Sequence, residues 1–224
     1  MDSWGGTTGG GNIEVYIGTR RALHGVAELL LAGPQWRASR SIELRVLPGG
    51  FGTVTDPDVR VDGAELVHNG QRLALSGTSY ARLGTAAGLD VGNLADVYPD
   101  GSGAAPGDPV RVDSSAAACL ARCLAAGDAA LRALDPAATP VLWPEHFDVG
   151  IVLDAVNYGV SPGDADFGEP YAYVGPHDFR TAGDRYRDGF WNAAFGAARP
   201  VRELAGDALG RFFEEGRARA GERQ

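Results

Sequence analysis

Two short stretches of the chain bring reactive side chains close together. "WPEHFDVG", residues 143–150, holds Glu145, His146 and Asp148, and "NYGVSPGDADFGEP", residues 157–170, holds Ser161, Asp164, Asp166 and Glu169. An imidazole and a carboxylate two positions apart on a strand share one face. From there they can reach a single cation, and a loop carboxylate could complete the set. On that reading a metal-dependent hydrolase would use His146 and Asp148 as ligands, with Asp164 or Glu169 as ligand or base. The plainer reading is a hydrogen-bonded pair that satisfies a buried polar position. Spacing alone favours the plainer one, so no metal is assigned, and His146 and Asp148 stand as its candidates only. The sequence names no cofactor.

The second stretch also contains Gly-x-Ser-x-Gly at Gly159–Gly163, the pattern of a hydrolase nucleophile elbow. In an elbow the residue after the serine donates its backbone N–H to the oxyanion, and here that residue is Pro162, which has none. Ser161 therefore reads as a turn residue, with Pro162 and Gly163 in the central positions. "DADFGE" (164–169) fails as a calcium loop, because Glu169 stands where the loop needs glycine. Cys119 and Cys123, the only cysteines, lie four apart on an expected helix, where a bridge would be strained, and read as packing residues. His24 falls midway between Arg20 and Glu28 at four-residue intervals, the pattern of a helix-face ion ladder. His68, beside Asn69-Gly70, reads as exposed.

These residues need elements to hold them. Residues 1–12 are rich in Gly and Thr and read as a flexible tail. A helix is expected from Thr19, with Leu23, Val26, Ala27 and Leu30 on one face and Gly33-Pro34 as its stop. "SIELRVL" (41–47) alternates as a half-buried strand. Asp62-Gly63 and Asn69-Gly70 mark two tight hairpins and hence three short antiparallel strands. A short helix is expected over 78–88. Residues 98–109 are dense in Pro, Gly and Asp and read as a loop at a lobe boundary. A long helix is expected from Asp113, as its cap, to about Leu134. Beyond Pro140 the texture is that of strands: Phe147, Val149 and Ile151 alternate with His146, Asp148 and Gly150, and "YAYV" (171–174) adds another. A Gly-, Pro- and Asp-rich loop is expected over 159–170, an irregular charged segment over 176–189, and a closing helix from about Val201.

Composition sets the outer limits. The 224 residues are 44% apolar with a formal net charge of −9, and all 20 basic residues are arginine. Such a chain is long enough for a sizeable core. An acidic surface without a basic patch is repelled by nucleic-acid phosphates and by anionic lipid, so neither partner is expected. The longest apolar run is too short to span a bilayer and no signal-peptide order opens the chain, so a cytoplasmic location is expected. Oligomeric state is not legible.

"RALHGVAELL", "GGFGT", "WPEHFDVGI" and "SPGD....EPYAYVGP", in that order, resemble a family of uncharacterised bacterial proteins, a domain of unknown function. Its members pair a Leu-His helix with a Trp-Pro-x-His-Phe-Asp strand and a Pro-Tyr-x-Tyr strand. The matching positions are Leu23 and His24, Gly50 and Thr53, Trp143 through Asp148, Ser161 through Asp164, and Pro170, Tyr171 and Tyr173. The resemblance covers most of residues 20–215, although the chain is shorter between Leu153 and Asn157 than members with an insertion there. It implies a shared fold and no activity.

The expectation is a single α+β domain over 13–220, mainly antiparallel sheet covered by three main helices. Its leading function is to bind a small molecule in a pocket around His24, Trp143, His146, Asp148, Tyr158, Asp164, Glu169, Tyr171 and Tyr173, since pockets combine aromatic walls with a few directed polar groups. Besides the hydrolase, the alternative is an interaction module with no pocket.

Overall fold

A computed structural model describes residues 10–181, 186 and 188–221. Of the expected tail, residues 1–9 lie outside the described residues, and the remainder is already helical. Helix α1 (Gly10–Val26) thus starts well before Thr19, and the helical path does not stop at Gly33-Pro34. It passes through a π-helical stretch, Ala27–Ala32, into α2 (Gly33–Ser39). The Gly33 N–H bonds the Glu28 carbonyl, five residues back. This wider turn relieves the clash that a proline makes with the carbonyl four residues before it. The whole π-helical stretch is buried, so packing holds what propensity alone would not. The path ends at Arg40, which is left-handed.

Strands β1 (Leu44–Leu47), β2 (Gly50–Thr53), β3 (Val59–Asp62), β4 (Glu65–His68) and β5 (Gln71–Ala74) form an antiparallel meander. Asn69 and Gly70 both have positive φ and join β4 to β5 as expected for a primed turn. The β3–β4 turn is shifted by one residue. Asp62 pairs with Glu65, so Gly63 and Ala64 are its central residues, and only Gly63 has positive φ. There follow β6 (Thr78–Ser79), α3 (Tyr80–Ala87), β7 (Pro109–Val110) and α4 (Ser114–Leu134). Asp113 caps α4 by accepting the Ala116 N–H at 2.9 Å. A second meander is made of β8 (Val141–Trp143), β9 (Asp148–Leu153), β10 (Val156–Ser161), β11 (Tyr171–Pro176) and β12 (Ala197–Pro200). The closing helix α5 (Ala208–Gly221) starts later than Val201, because a 3-10 turn and Gly206 with φ 60° intervene.

The two meanders join through β1 and β8 into one antiparallel sheet of ten strands, in the order β12-β11-β10-β9-β8-β1-β2-β3-β4-β5. The fold is α+β. The two meanders meet at this strand pair, and residues 98–108 belong to the loop between α3 and β7. Helix α4 packs on β1, β2, β9 and β10, and α5 on β10 and β11. The contact is close: a β-carbon on Gly127 of α4 would stand 2.8 Å from the side chain of Val160 and 2.9 Å from that of Val149. Val149, Tyr158, Val160 and Val174 thus face the helices. By alternation Asp148, Gly150, Gly159, Ser161, Tyr171 and Tyr173 face the other way. One hydrophobic cluster runs from α1 through both meanders to α5.

Candidate functional site

The face turned away from α4 carries a cleft of about 830 Å³ along β9, β10 and β11. Part of its floor is the Tyr173 ring, which rests on two glycines. Gly150 and Gly159 are opposed in the β9–β10 ladder, and Tyr173, opposite Gly159 on β11, lies over both. A β-carbon on Gly159 would stand 2.4 Å from the Tyr173 hydroxyl, and one on Gly150 3.1 Å from it. Only glycine lets the ring cross the two strands, and crossing them brings the hydroxyl to Asp148. Tyr173 donates to Asp148 Oδ2. Asp148 is only 8% exposed, and its Oδ1 has no hydrogen-bond partner among the described residues. Burial pushes the Asp148 carboxyl up from its ordinary pKa against the opposing pull of the Tyr173 bond. The same burial, with Asp148 alongside, holds Tyr173 well above the usual tyrosine range.

A second acidic centre fixes the loop that follows β10. Asp164 Oδ1 accepts the N–H groups of Asp166 at 2.8 Å and Phe167 at 2.7 Å, and Oδ2 accepts the Tyr171 hydroxyl at 2.6 Å. Helix α1 ties down the same loop. Tyr16 donates to the Pro162 carbonyl at 2.8 Å, and Arg20 Nη2 to the Asp164 carbonyl at 2.9 Å. Arg20 is 6% exposed and its Nη1 has no partner among the described residues. Ser161 is 3% exposed and ends β10; its Oγ accepts the Gly163 N–H at 3.1 Å. It is therefore a buried strand residue, and the expected loop begins at Pro162. The turn's positive φ, 106°, belongs to Gly163.

The third wall comes from α1 and the turn before β9. His24 Nε2 lies 2.7 Å from the Pro144 carbonyl, so Nε2 carries the proton. Its ring stacks on Phe147 at 5.4 Å and 9°, and burial lowers its pKa. Arg20, His24 and Glu28 do not form the expected ladder. Each reaches a different segment, Glu28 taking the Ser102 N–H at 2.7 Å and its hydroxyl. That bond draws Asp100–Ser102, part of the loop between α3 and β7, to the rim of the cleft.

Six of the expected residues line this cleft: His24, His146, Asp148, Asp164, Tyr171 and Tyr173. Three do not. Tyr158 points to the helices and meets Phe213 edge-on at 6.2 Å. Glu169 is engaged by Arg202. Trp143 pairs with Asp148 across β8 and β9 but does not line the cleft. The shared face expected of His146 and Asp148 is also absent. Phe147 has φ 55°, a conformation a bulky side chain rarely takes, so the two-residue alternation begins only at Asp148. His146 lies outward in the turn, its side chain 67% exposed and 3.9 Å from Glu145. Among the described residues no three His, Cys, Asp or Glu side chains gather as a cation would need. Arg20, Asn157, Ser161, Phe195 and Asp100–Ser102 also line the cleft without having been expected. For Asn157 and Ser161, alternation with the inward Tyr158 was the available signal.

No protein-family model, no curated protein and no solved structure matches the chain. The family resemblance therefore rests on its motifs alone. No helix among the described residues is long and apolar enough to cross a membrane.

Proposed function

We propose that the protein binds a small molecule in the cleft over β9–β11. The observation that carries this reading is the buried Asp148–Tyr173 pair on its two-glycine floor, with a carboxylate oxygen left unpartnered at the base of a concavity. A buried polar atom without a partner costs about 1–3 kcal/mol, and a ligand that supplies a donor recovers that cost. The size of the cleft fits a drug-sized or metabolite-sized guest. The interaction-module alternative draws less support: the exposed large hydrophobics among the described residues are Val15, Val54 and Val152, on separate segments.

Ligand-observed NMR with a metabolite panel tests the reading. Asn157 lies on the cleft side of β10 and is exposed, so Asn157→Trp puts a bulky ring into the cleft without changing a core residue, at the loss of the Asn157–His177 hydrogen bond. Compounds that give signals with the wild-type protein should lose them with Asn157→Trp. Equal signals from both proteins, or none from the wild type, would overturn the reading.

A further inference from the structure

Two buried polar atoms of opposite character on residues lining the same cleft are without partners among the described residues: the acceptor Asp148 Oδ1 and the donor Arg20 Nη1. Their placement follows from the strand register. Val149 is opposite Val160 in the β9–β10 ladder, so one further step sets Asp148 beside Ser161, and Ser161 is opposite Tyr171 on β11. Arg20 is anchored on the Asp164 carbonyl, in the loop that continues directly from Ser161. One strand spacing and a few residues of chain separate the two centres, a distance on the order of 10 Å before the side chains reach toward one another. Between them stand Tyr171 and Tyr173, with ring centroids 6.2 Å apart, and Phe195 at 6.2 Å from Tyr173. Aromatic faces of this kind attract cations. Arg21 lines the same cleft beside Arg20.

From this arrangement we infer that the ligand is a zwitterion of amino-acid to dipeptide length, its ammonium group on Asp148 and its anionic group on Arg20. The ammonium supplies the donor that Asp148 Oδ1 lacks and brings a full positive charge to a buried carboxylate. The anionic group supplies the acceptor that Arg20 Nη1 lacks, and a guanidinium binds carboxylate and phosphate alike. A purely cationic ligand leaves Arg20 unanswered and is repelled by Arg21, and a purely anionic one is repelled by Asp148. A single guest with both charges satisfies both ends.

This inference rests on the small-molecule reading, and its test separates the two. Thermal melts and ligand-observed NMR would be run on the full chain with a pool of the twenty amino acids, a dipeptide pool, the same pools N-acetylated or C-amidated, and O-phosphoethanolamine. At least one unblocked pool, or phosphoethanolamine, should bind and raise the melting temperature by 2 °C or more on the general scale of ligand linkage. Which of these binds distinguishes carboxylate from phosphate. Acetylation or amidation should each weaken binding at least tenfold, and Asp148→Asn should do the same. The blocked pools carry the test if that variant does not fold. Binding that survives blocking, or no binding by any zwitterion, overturns the inference. If metabolites of another class still bind the wild type and lose their signals with Asn157→Trp, the cleft remains a binding site and only the ligand class is wrong.

Discussion

Asp148 and His24, on two walls of one cleft, answer to pH in opposite directions. Burial raises the Asp148 pKa, so the folded state holds its proton more tightly than the unfolded chain does. Its contribution to stability is present below the unfolded value, near 3.9, and is lost as pH rises through the folded one. Burial lowers the His24 pKa. Its contribution is present above about 6.5 and is lost as pH falls through the folded value. Asp148→Asn cannot titrate, although it leaves a buried amide short of a partner. At pH 4 it should be less stable than the wild type by about 1 kcal/mol, and this deficit should shrink or reverse by pH 8. Urea melts at the two pH values decide the matter, and a deficit that widens with pH would show that Asp148 is held ionised by a partner. The paired His24→Gln variant should lose the wild type's decline in stability below pH 6.5. At this scale the sequence was legible where chemistry is local: Asp148, Asp164, Tyr171 and Tyr173 stand out by type and proximity. Tyr158 was misplaced because the direction of a side chain depends on the helices above the sheet. Arg20 was missed because its partner loop lies 144 residues away.

Elements with sharp chemical punctuation could be read in advance, and those with competing signals could not. Asp113 caps α4 and Asn69-Gly70 turns β4 into β5, each through a bond or a backbone angle that its own residues supply. Gly33-Pro34 offered an equally sharp stop, and tertiary packing overrode it. The π-helical stretch absorbs the proline, and Gly33 lies against the loop after α3: a β-carbon there would stand 2.3 Å from the Gly92 carbonyl oxygen. That oxygen belongs to the backbone and cannot swing aside. Gly33→Ala should therefore destabilise the protein by about 1–3 kcal/mol, the usual cost of overpacking, although alanine is the better helix former. A chemical-denaturation midpoint equal to or above that of the wild type would mean that the loop yields freely. Glu28 made the other unforeseen connection. As a buried carboxylate at the centre of an apolar run it departs from the pattern, and that departure was the one available sign that a distant loop returns to it.

Across the whole molecule, α4 is the element common to both meanders. It touches β1 and β2 on one side of the join and β9 and β10 on the other, whereas the strands themselves meet there through the single pair Leu44–Leu142. Opening either half exposes the same helix face, so the two should open together. In native-state hydrogen exchange the slowest amides of β2 and β9 should report opening free energies within about 1 kcal/mol of each other. A first meander that exchanges several kcal/mol more easily would mean that α4 does not couple them. The same join has a consequence in time. β8 is complete about 70 residues after the end of β5, and at a synthesis rate of roughly 5–20 residues per second the completed first meander waits about 3–14 seconds for its neighbour to be made. Throughout that wait one edge of β1 offers its unpaired N–H and C=O groups to any strand that arrives. At high expression the nearest strand belongs to another nascent copy, and the seam that unites the finished sheet is the place where misassembly begins.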